Sequence, residues 1–328
     1  MILKKLISAI ASAAVMLSCT VFPADAQNNE TEKLRVMPLG DSITDGFWLQ
    51  GGYRTTLCEL LEKNGYSDKI DLVGPNWGGN CYDPNHAGYS GYSIDNIEQS
   101  QSISGARIGI SSFIDWLLES YPADVVMLQI GTNDILSYYD LDNIGSRLEN
   151  LANMILNDIG SDAKLYIATI PCMDAENTLY INEYYFTPES MDEIVDKYNL
   201  QIKEIVTKLK AEGKNVELAD INSILGKSDL YDGVHPNAEG YEKMGNYWYS
   251  ILESYLNDTP DKDEPVLGDA DSNQTVEIND LVLLGRYLTN QAEITEINYQ
   301  NSDLNNDSEI NIFDYILLKK ILLNINND

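Results

Sequence analysis

The 328-residue chain is 44% hydrophobic and 9% aromatic, ordinary composition for one large core with a smaller companion. Its formal net charge of −31 repels nucleic acid and anionic membrane surfaces, which excludes both as partners.

The first element in chain order is an export signal over residues 1–26. Lys4 and Lys5 precede an apolar stretch from Leu6 to Phe22, and Ala24 and Ala26 fit a small-residue cleavage site. "MLSC", ending at Cys19, is a weaker lipoprotein alternative, because Met16 stands three residues before the cysteine. After cleavage Cys58, Cys81 and Cys172 remain. They allow one disulfide with one free thiol, or three buried thiols, with Cys58 on the apolar face of a helix as packing. No CxxC pair is present, so no zinc frame is expected.

Buried strands are then predicted over 34–39, 70–74, 124–131, 164–170 and 216–221, all rich in Val, Ile and Leu. Helices are predicted between them over 53–65, 109–121, 144–160 and 189–213, with a closing helix from about Ala238 to Leu256. Such alternation implies a parallel sheet with helices on both faces. Trp116 and Trp248 fall on helical faces and read as core.

Four loops following these strands carry chemistry. The first strand runs into "GDSITDG", where Ser42 is a candidate nucleophile and Thr44 or Asp45 would cap the following helix. "HAGYSGYSID" is glycine-rich, so the Gly91 N–H can approach a substrate oxygen. "QIGTNDI" ends the third strand and offers the Asn133 amide. In "YDGVHPN", His235 is one of only two histidines in the chain, and Asp232 lies three residues before it. That spacing suits an imidazole base with a carboxylate fixing its tautomer. Ser42, Asp232 and His235 are therefore the catalytic candidates, and Ser42 N–H, Gly91 N–H and Asn133 the oxyanion donors. Trp48 and Trp77 lie near the first two blocks as candidate substrate-binding aromatics, and His86 either lines the substrate pocket or bonds within its own loop.

These blocks together resemble the SGNH, or GDSL, hydrolase superfamily over roughly residues 33–257, with Ser42, Gly91, Asn133 and the Asp232–His235 pair at the motif positions. The resemblance implies a flavodoxin-like three-layer α/β/α sandwich with a five-stranded parallel sheet, and no cofactor for catalysis. "GDSITDGFWLQGGYRTTL", "HAGYSGYSI" and "VVMLQIGTNDI" further resemble carbohydrate esterase family three, the acetylxylan esterases. That implies a serine esterase acting on acetylated hemicellulose. Tyr89 departs from the family's second block, where an acidic residue or histidine is expected. A lipase or thioesterase of another acyl ester, and a silent sugar-binding module, are the rival readings.

Residues 258–267 read as a polar linker. Beyond it, "GDADSNQTVEINDLVLLGRYL" and "SDLNNDSEINIFDYILLKKIL" repeat each other without gaps. Each opens with a loop of oxygen donors at calcium-loop spacing: Asp269, Asp271, Asn273, the Thr275 carbonyl and Asp280, then Asp303, Asn305, Asp307, the Glu309 carbonyl and Asp314. Gln274 and Ser308 replace the glycine usual at the sixth position, which strains the turn. One loop plus one helix, duplicated over 268–323, is similar to a type I dockerin. The resemblance implies two bound Ca²⁺ ions and a cohesin partner on a scaffolding protein, met by Ile278, Asn279, Ile312 and Phe313. It also implies a secreted, cellulosome-associated enzyme.

Overall fold

The computed structural model describes residues 33–177, 180, 184–258, 266–273 and 275–323. The export signal, linker residues 259–265 and Gln274 lie outside the described residues. In chain order, β1 (Leu34–Gly40) runs into a one-turn helix α1 (Ser42–Asp45), followed by α2 (Tyr53–Lys63). Then come β2 (Ile70–Leu72), β3 (Asn76–Trp77), β4 (Asn85–Gly88), α3 (Ile114–Ser120) and β5 (Val125–Gln129). The unit continues through α4 (Thr132–Leu136), α5 (Ile144–Asp158), β6 (Lys164–Ala168), α6 (Pro188–Ala211), β7 (Val216–Ala219) and α7 (Ala238–Asp258). The C-terminal segment contributes α8 (Ile278–Leu288), the short α9 (Tyr299–Ser302) and α10 (Ile312–Leu322).

All five predicted strands are present and parallel: β2 pairs with β1, β1 with β5, β5 with β6 and β6 with β7. The expected five-stranded sheet is nevertheless extended to seven strands. One edge of β1 is shared, because β2 pairs with its first half through Leu34↔Ile70 to Val36↔Leu72 and β4 with its end through Gly40↔Gly88. The two-residue β3 then lies antiparallel on β4. "NHAG" and "NW" are too short and too polar to read as strands, which is why the extension is absent from the hydrophobic pattern.

Successive strand residues point to opposite faces and feed two apolar layers. Met37, Leu39, Val126, Leu128, Leu165 and Ile167 pack with α3, α5 and α6 residues such as Ile114, Leu148 and Ile202. Val36, Val125, Met127 and Tyr166 pack with Leu57, Leu61, Met244 and Trp248 of α2 and α7. The result is the expected helix–sheet–helix sandwich. A separate small core of Ala270, Leu281, Leu284, Ile297 and Leu318 belongs to the C-terminal repeats.

Two expectations about packing are corrected. Cys58 is not a buried thiol in packing contact alone: it forms a disulfide with Cys81, Cα atoms 5.8 Å apart, which leaves Cys172 free. Trp116 is not core. The predicted helix over 109–121 breaks at Phe113 (φ −144°) into a 3₁₀ turn over 110–112 and α3, and on the shorter helix Trp116 faces outward, 54% exposed. Trp248 is buried as expected.

Candidate active site

The register of the sheet brings the chemistry to one rim. Gly40 at the end of β1 pairs both with Gly88 of β4 and with Gln129 of β5. Two residues beyond that shared rung stand Ser42, Ser90 and Gly131, so three of the four sequence blocks leave the sheet at the same level. This is the carboxyl edge, where ligands bind in open α/β sheets.

Ser42 opens the one-turn helix α1. The cap is Asp41, neither Thr44 nor Asp45: its Oδ1 accepts from the Ile43 N–H at 2.9 Å. The cap falls three or four residues earlier than expected because the strand continues to Gly40 and the chain turns at once. As first residue of the helix, Ser42 has an N–H with no acceptor one turn earlier, so that donor is free for a ligand.

His235 arrives from the opposite end of the chain. Its loop is pinned by Tyr231 N–H donating to the His235 carbonyl at 2.8 Å and by Asn237 N–H donating to the Asp229 carbonyl at 2.7 Å. Asp232 accepts twice from backbone, from Val234 N–H at 3.1 Å and His235 N–H at 2.8 Å, both through Oδ1. Its Oδ2 lies 2.8 Å from His235 Nδ1, and His235 Nε2 lies 2.8 Å from Ser42 Oγ. A carboxylate only accepts, so the proton sits on Nδ1 and Nε2 is left to accept from the serine hydroxyl. Ser42 and His235 are each 6% exposed, enough for one face of the pair to meet a substrate. Phe47 and Tyr180 flank the imidazole, ring centroids 4.5 and 5.6 Å away.

The proposed donors lie on the neighbouring loops. Gly91 has φ +85°, a conformation that costs other residues dearly, and Arg107 Nη1 holds its carbonyl at 3.2 Å. Asn133 follows Gly131, whose φ is +121° and where a Cβ would meet the Tyr198 ring at 2.4 Å. One hydrogen of the Asn133 amide goes to the Tyr92 carbonyl at 2.9 Å, and the second remains for another acceptor.

Two buried carboxylates support this rim, and sequence reasoning missed both. Asp134 is fully buried against Arg147 at 2.6 Å and accepts from Ile94 N–H at 3.0 Å; burial still pushes its carboxyl up to about 6. Asp41 is also fully buried, and burial pushes it up to about 7. Both sit beside motif residues, in "GDS" and "GTND", and that adjacency was the available signal. Arg54 is a third missed residue: buried, it donates to the carbonyls of Thr44 at 3.2 Å, Asp45 at 3.1 Å and Gly78 at 3.1 Å.

The remaining expectations divide. Trp48, 40% exposed, stacks on Tyr231 at 4.1 Å with its indole N–H on the Pro236 carbonyl. Trp77 is 76% exposed at the edge of a cleft. His86 is buried and accepts from Gly88 N–H at 3.1 Å, the within-loop bond, yet it also lines that cleft. Tyr89 packs in an aromatic group with Tyr92 and Phe113.

In the repeats several bonds recur at equivalent positions of the two loops. Asn273 N–H donates to Asp269 Oδ1 at 3.0 Å, as Asp307 N–H does to Asp303 Oδ1 at 3.1 Å. Glu277 N–H donates to Asp280 Oδ2 at 2.7 Å, as Asn311 N–H does to Asp314 Oδ2 at 2.8 Å. Ser308 holds φ +67°, the strained turn expected without glycine. Asp269, Asp271 and Asp280 offer oxygens within 4.8 Å of one another, and Asp269 and Asp280 are fully buried. An all-oxygen donor set with buried carboxylates fits a hard divalent cation such as Ca²⁺. Ile278, Ile312 and Phe313 stand 62%, 56% and 64% exposed beside these loops.

Comparison with known proteins identifies the family of each part of the chain. The profile of the GDSL-like lipase/acylhydrolase family matches residues 36–248, and that of the dockerin type I domain matches residues 267–323. A multidomain esterase of Ruminococcus flavefaciens is 34% identical over 317 residues, covering 88% of this chain. The match takes in 39% of that relative's own length. Among solved structures, a family 3 carbohydrate esterase of Clostridium thermocellum matches with a TM-score of 0.53 at 29% identity, over 69% of this chain and 98% of that one. A carbohydrate esterase family 3 structure from Talaromyces cellulolyticus shares the fold, with a TM-score of 0.53 at 22% identity over 69% of this chain and 99% of its own. The chain belongs to the GDSL-like lipase/acylhydrolase family and carries a type I dockerin domain at its C-terminal end.

Proposed function

We propose that the protein is an exported serine esterase that removes O-acetyl groups from xylan or a related hemicellulose and is held on a scaffolding protein by its dockerin. The catalytic domain would span residues 33–257, the linker 258–267 and the dockerin 268–323. The observation that carries the reading is the unbroken chain of 2.8 Å contacts from Asp232 through His235 to Ser42 Oγ.

The mechanism follows from that chain. His235 Nε2 takes the hydroxyl proton as Ser42 Oγ bonds to the acetyl carbonyl carbon. The carbonyl π electrons move to oxygen, and the oxyanion is met by Ser42 N–H, Gly91 N–H and the free Asn133 N–H. Asp232 stabilises the imidazolium that forms. His235 then gives its proton to the departing sugar oxygen as the ester C–O bond breaks, leaving an acetyl-serine. Water, deprotonated by the same imidazole, attacks the acetyl-serine, and acetate leaves as Ser42 is reprotonated. The dockerin favours a polysaccharide over lipid, and Ca²⁺ held by the two acidic loops would order it. Ile278, Asn279, Ile312 and Phe313 would meet the cohesin.

The test is acetate release from acetylated xylan. Ser42→Ala should lose at least about 10³-fold in kcat, the scale for removing a triad member. A Ser42→Ala protein with wild-type release overturns the assignment. A p-nitrophenyl ester series falling steeply from acetate to octanoate supports the acetyl reading; a rise overturns it.

A further inference from the structure

At the C-terminal end of α1, the helix that Ser42 opens, lies an open cleft of about 400 Å³, within the roughly 300–1,000 Å³ of small-molecule sites. Asp45, the last residue of α1, forms one side, and Ser90 and Tyr92, which bracket Gly91, form another. Asn76 and Trp77 make the outer wall, and His86 belongs to its lining.

His86 is the informative residue. Its side chain is 2% exposed, and its Nδ1 accepts the Gly88 N–H, so the ring proton is on Nε2. Burial and the charge of Arg54 push the imidazole down to about 3, which keeps it neutral at any working pH. The Nε2–H is thus a permanent donor. Its carboxylate neighbour, Asp45 Oδ1, is 4.0 Å away, too far for a direct hydrogen bond. A donor and an acceptor separated by that gap suit one hydroxyl, which accepts from the first and donates to the second. Ser90 Oγ already donates to Asp45 Oδ2 at 2.6 Å and fixes the carboxylate's direction.

Trp77 supplies the apolar counterpart. Although 76% exposed, it is held by pairing with Asn85 on a segment tied down by the Cys58–Cys81 disulfide and by Arg54 on the Gly78 carbonyl. An indole held rigid at a cleft edge gains burial only when a ligand covers it. Among the described residues no lysine or arginine lines the cleft and Asp45 is its one charged residue, so an anionic ligand is disfavoured.

We propose that this cleft is a neutral-pyranoside subsite in which one free sugar hydroxyl bridges His86 Nε2 and the Asp45 carboxylate while Trp77 covers the ring. The proposal rests on the reading of Ser42 as the nucleophile of an acyl-sugar esterase. It makes His86 and Asp45 specificity residues for the alcohol half of the ester rather than parts of the acyl-transfer machinery.

The experiment compares kcat/KM for methyl 2-O-acetyl-β-xyloside with that for p-nitrophenyl acetate, which has no sugar. Asp45→Ala should lower the sugar-to-aryl ratio at least tenfold, and Trp77→Ala about fivefold, chiefly through KM of the sugar ester. Asp45 is part exposed, so its variant tests the site even if a His86 variant fails to fold. A ratio that stays at the wild-type value overturns the subsite and leaves the esterase reading standing. A wild type that cleaves the aryl ester but not the sugar ester overturns the acyl-sugar reading, and the subsite with it.

Discussion

At the scale of single residues, the site is built on a carboxyl that chemistry does not use directly. Through Oδ1, Asp41 caps the helix that Ser42 opens, and its whole side chain is buried. Burial raises its pKa from the ordinary carboxylate range to about 7. The folded state therefore binds this proton more tightly than the unfolded chain does. The associated stability is complete below about pH 4 and is lost as pH rises toward 7, by up to about 1.4 kcal/mol per pH unit. Asp41→Asn keeps an oxygen for the Ile43 N–H and removes the titration. Urea unfolding of both proteins from pH 5 to 8 should show the variant gaining on wild type as pH rises; parallel curves would refute the argument. The neighbouring Asp134 is raised in the same direction but only to about 6, because Arg147 pairs with it at 2.6 Å. Arg147→Met strands that carboxylate and should cost roughly 3–5 kcal/mol at pH 8, the scale for breaking a buried pair.

At the scale of elements, what held the site in place was only partly legible in the sequence. The five apolar strands and five of the helices were readable because buried apolar runs and 3.6-residue periods mark them. Ser42, Asp232 and His235 could be nominated because histidine is scarce and each motif follows a strand. The short elements were not readable. α1 is four residues long and α4 five, below any useful period, while β3 and β4 carry polar and small residues. Nor does spacing reveal that Cys58, on α2, reaches Cys81, or that Arg54, one turn earlier, caps the carbonyl end of α1. The two ties act on one segment, residues 74–85, from the same helix. Arg54→Met leaves the carbonyls of Thr44, Asp45 and Gly78 without this donor and should destabilise by roughly 2–4 kcal/mol. Its kcat for p-nitrophenyl acetate should also fall, because α1 carries Ser42. Circular dichroism melts with parallel kinetics check this, and a variant with unchanged melting and unchanged kcat contradicts it.

At the scale of the whole molecule, the acidic repeats pose an electrostatic problem. Asp269, Asp280 and Asp314 are fully buried and Asp303 nearly so, in a chain whose formal charge is already −31. Backbone N–H groups point at these carboxylates. Several anionic groups crowded out of water need a cation, and each loop's oxygen set suits a divalent one. The small core under α8 and α10 has few large side chains to offset an unneutralised loop. By contrast, the rim carrying Ser42 and His235 draws its order from the two large apolar layers of the sheet. The two parts should therefore respond separately to calcium. Adding EGTA to the full chain should remove a low-temperature unfolding transition in calorimetry and increase amide exchange across residues 268–323. Hydrolysis of p-nitrophenyl acetate should stay within about twofold of its value in calcium, since the proposed acyl transfer passes through no metal. Restoring Ca²⁺ should restore the transition, with Mg²⁺ a poorer substitute because its octahedral demand fits these flexible loops less well. Loss of esterase activity in step with the C-terminal transition would show that the site depends on the repeats, and the separation argued from the distinct cores would fail.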